Sequence, residues 1–106
     1  METTMNEIPT IESMPLVSIK ETLAERKISK SHHYEQVRKG LYPPPINIKG
    51  RAFYIGAELN LMAQAFISGA DDAELRRVTK FVIAQREELR RRAAESVEAQ
   101  LAEGAA

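Results

Sequence analysis

The stretch ISKSHHYEQVRKGLYPPP, residues 28–45, contains the features that decide the fold of this chain. Ser29 is a residue type that caps helix N-termini and Gly40 is one that ends helices, so a short helix is predicted between them. Tyr34 and Val37 fall on one side of that helix and supply its apolar face. The three prolines that follow are incompatible with helix and predict an extended segment.

A second short helix is predicted immediately before this one. Ser18 and Glu21 have the spacing of a capping box, and the helix that they begin ends near Lys27. Two short helices separated by a tight turn are typical of helix-turn-helix geometry. In the later helix His33 lies at the edge of the apolar face, and the opposite face is polar, with His32, Glu35, Gln36 and Lys39.

After the prolines the hydrophobic period changes to that of a strand. Apolar and polar residues alternate over 46–48 and again over 52–55. Lys49 and Gly50 between these segments supply the glycine that a tight hairpin turn needs. A two-stranded hairpin is not stable alone in water, so it is expected to pack against the helices. With Lys49 and Arg51 at its tip, this hairpin is predicted to be a wing.

Helix returns over residues 57–68 and continues from 72 to 102 with no breaker before Gly104. Asp71 and Glu74 form a further capping signature. A helix of this length would extend roughly 45 Å, beyond any core that the preceding residues could build. Its second half is therefore expected to pack against a partner helix or to fray. The apolar stripe is predicted to mediate self-association, through Leu75, Val78, Val82 and Leu89, with packing on the protein's own core through Leu75 to Val82 as the alternative.

The predicted fold class is mainly α with a small β-hairpin. Residues 1–13 are expected to be a disordered lead, because they lack periodicity and contain a proline. Residues 14–69 are predicted to form a winged helix-turn-helix domain that binds DNA. Residues 70–106 are predicted to be a C-terminal helix for oligomerisation or contact with a partner.

Charge distribution agrees with a nucleic-acid partner, although the formal net charge is zero. Residues 18–51 contain eight Lys or Arg and three Asp or Glu side chains, a net charge of +5. The flanking segments, 1–17 and 52–106, carry −3 and −2. A local basic excess is typical of nucleic-acid binding. A solvated surface with chance clustering is the alternative.

Composition disfavours several other classes of protein. The absence of cysteine removes disulfides and thiolate metal sites and favours the cytoplasm. The first residues lack the basic and apolar regions of a signal peptide, and no apolar run approaches the ~20 residues of a membrane span. We expect a soluble cytoplasmic protein with no membrane partner.

The adjacent histidines do not predict a metal site or a catalytic site. His32 and His33 point about 100° apart on a helix, so one ion cannot easily bind both. No third ligand has a suitable spacing, and no nucleophile or pocket accompanies a His–Glu couple. We expect no catalytic residue, no metal and no cofactor, and hence no enzyme.

DNA recognition by the second helix and the hairpin is the preferred interpretation. The second helix would enter the major groove, and the wing would contact the neighbouring backbone. Tyr34 is assigned to the core rather than to base contact. The residues expected at the DNA are Lys30, Ser31, His32, Glu35, Gln36, Arg38, Lys39, Lys49, Gly50 and Arg51.

The segment LVSIKETLAERKISKSHHYEQVRKGLYPPPINIKGRAFYI resembles AlpA-type phage regulators, a winged helix-turn-helix group related to excisionases. The matching positions are Ile28-Ser29-Lys30-Ser31, Tyr34, Arg38-Lys39-Gly40, Tyr42-Pro43-Pro44-Pro45 and Gly50-Arg51. The resemblance covers residues 15–69. It implies a protein of a phage or other mobile element that acts as a transcriptional regulator, an excisionase or both. It also implies double-stranded DNA and an integrase as partners, with homo-oligomers forming on DNA.

The chain departs from that pattern at two positions. His33 stands where the group has an aliphatic residue, and Glu35 stands where it has an arginine, which places a negative charge on the DNA-facing side. Two other functions stay open, a terminase small subunit that packages phage DNA and an adaptor that acts through its long helix without binding DNA. The arginine-rich run 86–92 is interpreted as a solvated helix face, with a second DNA contact as the alternative.

Overall fold

The structure, a computed structural model, describes residues 15–105. In chain order its elements are β1 Leu16–Ser18, α1 Ile19–Arg26, α2 Lys30–Arg38, β2 Ile46–Ile48, β3 Arg51–Ile55, α3 Gly56–Ile67 and α4 Asp72–Ala105. The described chain is mainly helical, with a small antiparallel sheet and a long C-terminal helix, as predicted. The predicted disordered lead, residues 1–13, lies outside the described residues.

Local capping begins α1 and α4 where the sequence predicts it. Before α1, the Ser18 hydroxyl accepts from the Glu21 amide at 3.1 Å, and the Glu21 carboxylate accepts from the Ser18 amide at 3.0 Å. At α4 the Asp71 carboxylate accepts from the Glu74 amide at 2.9 Å, and the reciprocal bond is 3.0 Å. These pairs satisfy backbone donors that a helix start otherwise leaves open.

The sheet contains a strand that the sequence analysis does not predict. Its order is β1-β3-β2, with both neighbouring pairs antiparallel. β1 aligns Leu16 with Ile55 and Ser18 with Phe53, so the expected two-stranded hairpin supplies two of the three strands of the sheet. β1 has three residues and, unlike β2, no adjacent turn that joins it to β3, so only its pairing with β3 defines it.

The core lies where α3 and α4 pack together beneath the sheet and the proline segment. Its buried side chains include Tyr42, Tyr54, Met62, Leu75 and Val82. Tyr54 and Met62 are fully inaccessible. A chain of this size buries only a modest apolar core. Two tyrosines lie at its centre, and a buried tyrosine hydroxyl usually has a hydrogen-bond partner.

The apolar stripe of α4 is buried within the protein, in agreement with the alternative of packing on its own core, and self-association stays a prediction. Leu75 and Val82 belong to the core, with 5% and 2% of their surface exposed, and Val78 packs against that core. Leu89 is likewise buried, with 5% exposed. The sequence alone does not show that α3 packs against Leu75 and Val82.

An ion pair inside the protein also joins α3 to α4. The Arg86 guanidinium donates to both carboxylate oxygens of Glu58, at 2.6 and 2.9 Å. Glu58 additionally accepts from the Ile55 amide at 3.3 Å, which caps the start of α3. Removing either charge would leave the other buried and unpaired.

The other arginines of the run 86–92 lie on the exposed surface of α4. Arg90 pairs with Glu87, and Arg91 and Arg92 both pair with Glu88. These contacts agree with a solvated helix face. No helix within the described part of the chain has both the length and the apolar character that crossing a bilayer requires.

Candidate nucleic-acid interface

Both ends of α2 are fixed by specific hydrogen bonds. At its start the Ser29 hydroxyl accepts from the His32 amide at 3.1 Å, as the cap prediction requires. After its end Gly40 adopts a φ of +78°, a conformation that glycine enters without strain. The Arg76 guanidinium of α4 donates to the Lys39 carbonyl at 3.1 Å, which satisfies one of the last carbonyls of the helix.

His33 is the central buried residue of α2, whereas the sequence analysis places it at an edge. Its side chain is completely inaccessible, and both ring nitrogens are hydrogen bonded. Nδ1 lies 2.8 Å from Nη1 of Arg26, and Nε2 lies 2.9 Å from the Tyr54 hydroxyl. That hydroxyl donates to the Pro43 carbonyl at 2.6 Å. One residue therefore connects α1, α2, β3 and the proline segment.

The geometry of these bonds assigns the tautomer of His33. A guanidinium can only donate, so Nδ1 must accept from Arg26. Because the Tyr54 proton goes to the Pro43 carbonyl, the hydroxyl oxygen accepts from Nε2–H. The ring is thus neutral, with its proton on Nε2. Burial, reinforced by the charge of Arg26, lowers the pKa of His33 to about 4.

Arg26 organises the side chains around His33. Its guanidinium carbon lies 3.9 Å from the centre of the Tyr42 ring and 5.2 Å from that of Phe66. These distances are suitable for cation–π attraction. Burial lowers the pKa of Arg26. Nothing in the sequence pattern singles out this arginine, because its partners are distant in the chain.

Gln36 is held by Arg26 and is not a free outward side chain. Its Oε1 accepts from Nη2 of Arg26 at 2.6 Å, and the residue is half-buried. Bidentate pairing with adenine needs both the oxygen and the nitrogen of a glutamine amide. The bond from Arg26 uses one of the two lone pairs of that oxygen, so it orients the amide, and the DNA contact of Gln36 stays a prediction. Its Nε2 group remains a donor.

The exposed face of α2 contains five of the predicted DNA-facing residues, Lys30, Ser31, His32, Arg38 and Lys39. Glu35 lies among them and is half-buried.

Glu35 does not stand as an isolated negative charge. Its carboxylate accepts from Arg38 through one oxygen and lies 3.5 Å from the Lys39 ammonium through the other. The hydrogen bond from Arg38 is the main cause of a lowered pKa at Glu35. The carboxylate and its two cations leave this part of the surface with a net positive charge.

The turn of the β2–β3 hairpin reverses the chain direction within two residues, Lys49 and Gly50. Lys49 and Gly50 have φ values of +51° and +84°, the positive pair that defines a type I′ turn. The Asn47 side chain accepts from the Gly50 amide at 3.0 Å, a contact that the sequence analysis does not identify. Lys49, Gly50 and Arg51 are all exposed, and Arg51 extends over the Phe53 ring. The turn thus presents two cations to solvent.

The described residues offer no metal cluster, since no group of three His, Asp or Glu side chains comes together within 15–105. Comparisons with protein-family models, with curated proteins and with solved structures gave no match.

Proposed function

We propose that this protein binds double-stranded DNA through a winged helix-turn-helix made of α1, α2 and the β2–β3 hairpin. The supporting observation is the turn of three residues, 27–29, that joins two short helices, followed by a type I′ hairpin with two exposed cations. In this arrangement α2 lies in the major groove and the hairpin contacts the adjacent backbone.

Phosphate contacts are assigned to the cations that surround this surface. Lys30 lies in the first turn of α2, Lys39 follows its end, and Lys49 and Arg51 flank the hairpin glycine. Contacts of this type give affinity and register without sequence information. Each adds to the salt dependence of binding, because each releases counterions from the DNA.

Base reading is assigned to Ser31, His32 and Arg38. Arg38 is 70% exposed, and its fork has the geometry for the O6 and N7 acceptors of guanine. The Glu35 carboxylate accepts a hydrogen bond from one guanidinium nitrogen of Arg38 and so favours a single rotamer of that side chain. If Arg38 moves to a phosphate, the Glu35 carboxylate becomes free to accept from the amino group of cytosine.

The biological role that we propose is control of a phage or other mobile element. The resemblance of residues 15–69 to AlpA-type regulators and excisionases supports this role, as a transcriptional regulator, an excisionase or both. The protein is proposed to act in the cytoplasm without catalytic chemistry, by occupying and shaping a DNA site. An excisionase would in addition contact an integrase.

A salt-titrated binding assay tests the DNA interface. The double variant Lys49→Ala with Arg51→Ala should weaken binding to all duplexes by a similar factor. It should also reduce the slope of log K against log salt by up to about 1.8, the contribution of two phosphate contacts. The double variant Arg90→Ala with Arg91→Ala removes the same charge from α4 and serves as the control.

The outcomes of this assay separate the possible functions. Binding without salt dependence, or no binding by the wild type, would favour an adaptor and contradict the proposal. Equal losses in the two double variants would show that the hairpin has no special role. A terminase small subunit would bind DNA as well, and it would be distinguished by stimulation of a packaging ATPase.

A further inference from the structure

A groove of about 740 Å³ opens between α1, α2 and α3. Its lining includes Arg26, Ile28, Phe66 and Ile67. Ile67 is 86% exposed and Phe66 is 37% exposed. Large apolar side chains grouped at the edge of a concave surface are typical of a site that another segment covers.

Among the described residues, Arg26 has no acidic hydrogen-bond partner in this groove. Arg26 lies at its inner wall, and the hydrogen-bond partners of its guanidinium, His33 and Gln36, are both neutral. Within residues 15–105 no carboxylate forms an ion pair with Arg26 at 4.0 Å or less, although Glu25 also lines the groove. A half-buried cation that has only neutral partners would be stabilised by a carboxylate from the groove's occupant.

The C-terminal end of α4 has the complementary chemistry. Residues 93–105 contain three glutamates and no lysine or arginine. Val97 and Leu101, one helical turn apart, are 54% and 64% exposed. Within residues 15–105, this apolar pair on an acidic helix stays exposed.

The α4 end cannot reach the groove of its own chain. Ile67 precedes the start of α4 by five residues, whereas Val97 follows it by 25. At 1.5 Å per residue, a continuous helix places Val97 about 38 Å from that start. An α4 end that occupies this groove therefore comes from another molecule.

We propose that the end of α4 from one copy docks in the α1–α2–α3 groove of a second copy. Val97 and Leu101 cover Phe66 and Ile67, and the neighbouring Glu98 faces Arg26. The two surfaces in this contact are different, so the interface is heterologous and either closes into a ring or continues from copy to copy. The proposal does not depend on DNA binding and is tested without DNA.

Single charged substitutions at exposed positions test the two halves of the contact. Leu101→Glu disrupts the inserted end and Ile67→Glu disrupts the groove. Each should weaken self-association, measured by sedimentation equilibrium over a concentration series, by about tenfold or more. Ala99→Glu adds the same charge to another face of the α4 end and should leave association unchanged. Circular dichroism of each variant should show the wild-type helix content, because these side chains are exposed.

Mixing the two defective proteins gives the decisive result. The Leu101→Glu protein keeps an intact groove and the Ile67→Glu protein keeps an intact helix end, so an equimolar mixture should form pairs that neither protein forms alone. A contact between two helix ends would instead be lost in Leu101→Glu and retained in Ile67→Glu. That pattern, or a wild type that stays monomeric at the highest concentration, would overturn the proposal.

Discussion

Acid should destabilise this protein through His33, well above the pH range in which carboxylates titrate. The buried ring is neutral, and its protonation would place a second N–H against the guanidinium of Arg26. The pKa of His33 is lowered from 6.5 to about 4 in the folded chain. Between these values the unfolded chain binds the proton more tightly, so stability is complete above pH 6.5 and falls as the pH is lowered towards 4.

The size of the effect follows from the two pKa values. Each unit of difference corresponds to about 1.4 kcal/mol, so the full loss below pH 4 is at most about 3.5 kcal/mol. Between pH 7 and pH 5 the same linkage gives a loss of about 2 kcal/mol in the free energy of unfolding. That is a large fraction of the stability of a small domain.

The test compares the wild type with His33→Gln in urea denaturation at several pH values. A glutamine offers one acceptor for Arg26 and one donor for Tyr54, but it does not titrate over this range. The variant should be less stable at pH 7 and should change little between pH 7 and pH 5. His32→Gln removes the exposed neighbouring histidine and should retain the pH dependence of the wild type.

Two results would refute this reasoning. Parallel loss of stability in the wild type and in His33→Gln would assign the acid sensitivity to other groups. A His33 ring that titrates near pH 6.5 by NMR, or carries its proton on Nδ1, would contradict the hydrogen-bond network itself. The NMR measurement does not depend on how well glutamine replaces histidine.

Three further changes have expected outcomes that separate the roles of neighbouring residues. Glu35→Gln removes the carboxylate that holds Arg38, so binding to random duplexes should stay equal or rise while preference for the cognate site falls; an unchanged ratio would show that α2 does not read bases there. Asn47→Ala removes the contact to the Gly50 amide, and urea denaturation should show a loss of about 1 kcal/mol or less, with weaker DNA binding. Glu58→Ala leaves the Arg86 charge buried and should cost about 3–5 kcal/mol, whereas loss of the exposed Glu87 should change little.

The elements that the sequence predicts correctly are those determined within a few residues. The capping pairs at Ser18 and Asp71 and the hairpin turn at Gly50 depend on side chains three positions apart or less. Their geometry is local, so spacing alone identifies them. The missed strand β1 depends instead on pairing with β3, more than thirty residues later.

The residues that the sequence alone does not place are those whose environment comes from distant parts of the chain. A histidine between apolar and polar positions of a helix can face either way, and partners from α1 and β3 draw His33 inwards. Gln36 appears exposed on the helix alone, yet Arg26 binds its oxygen. The stripe through Leu75 and Val82 is apolar as expected, and α3 packs against it within the same chain.

The core and the proposed DNA surface are coupled because α2 belongs to both. Its inner face is fixed to α1 and β3 through His33, and its last carbonyl is held by Arg76 of α4. A rigid helix with fixed ends presents Arg38 and its neighbours in one register, which is what direct base reading requires. α4 therefore contributes to the proposed DNA interface indirectly, because Arg76 fixes the end of α2. Loss of that contact would loosen base discrimination without removing a single DNA-facing side chain.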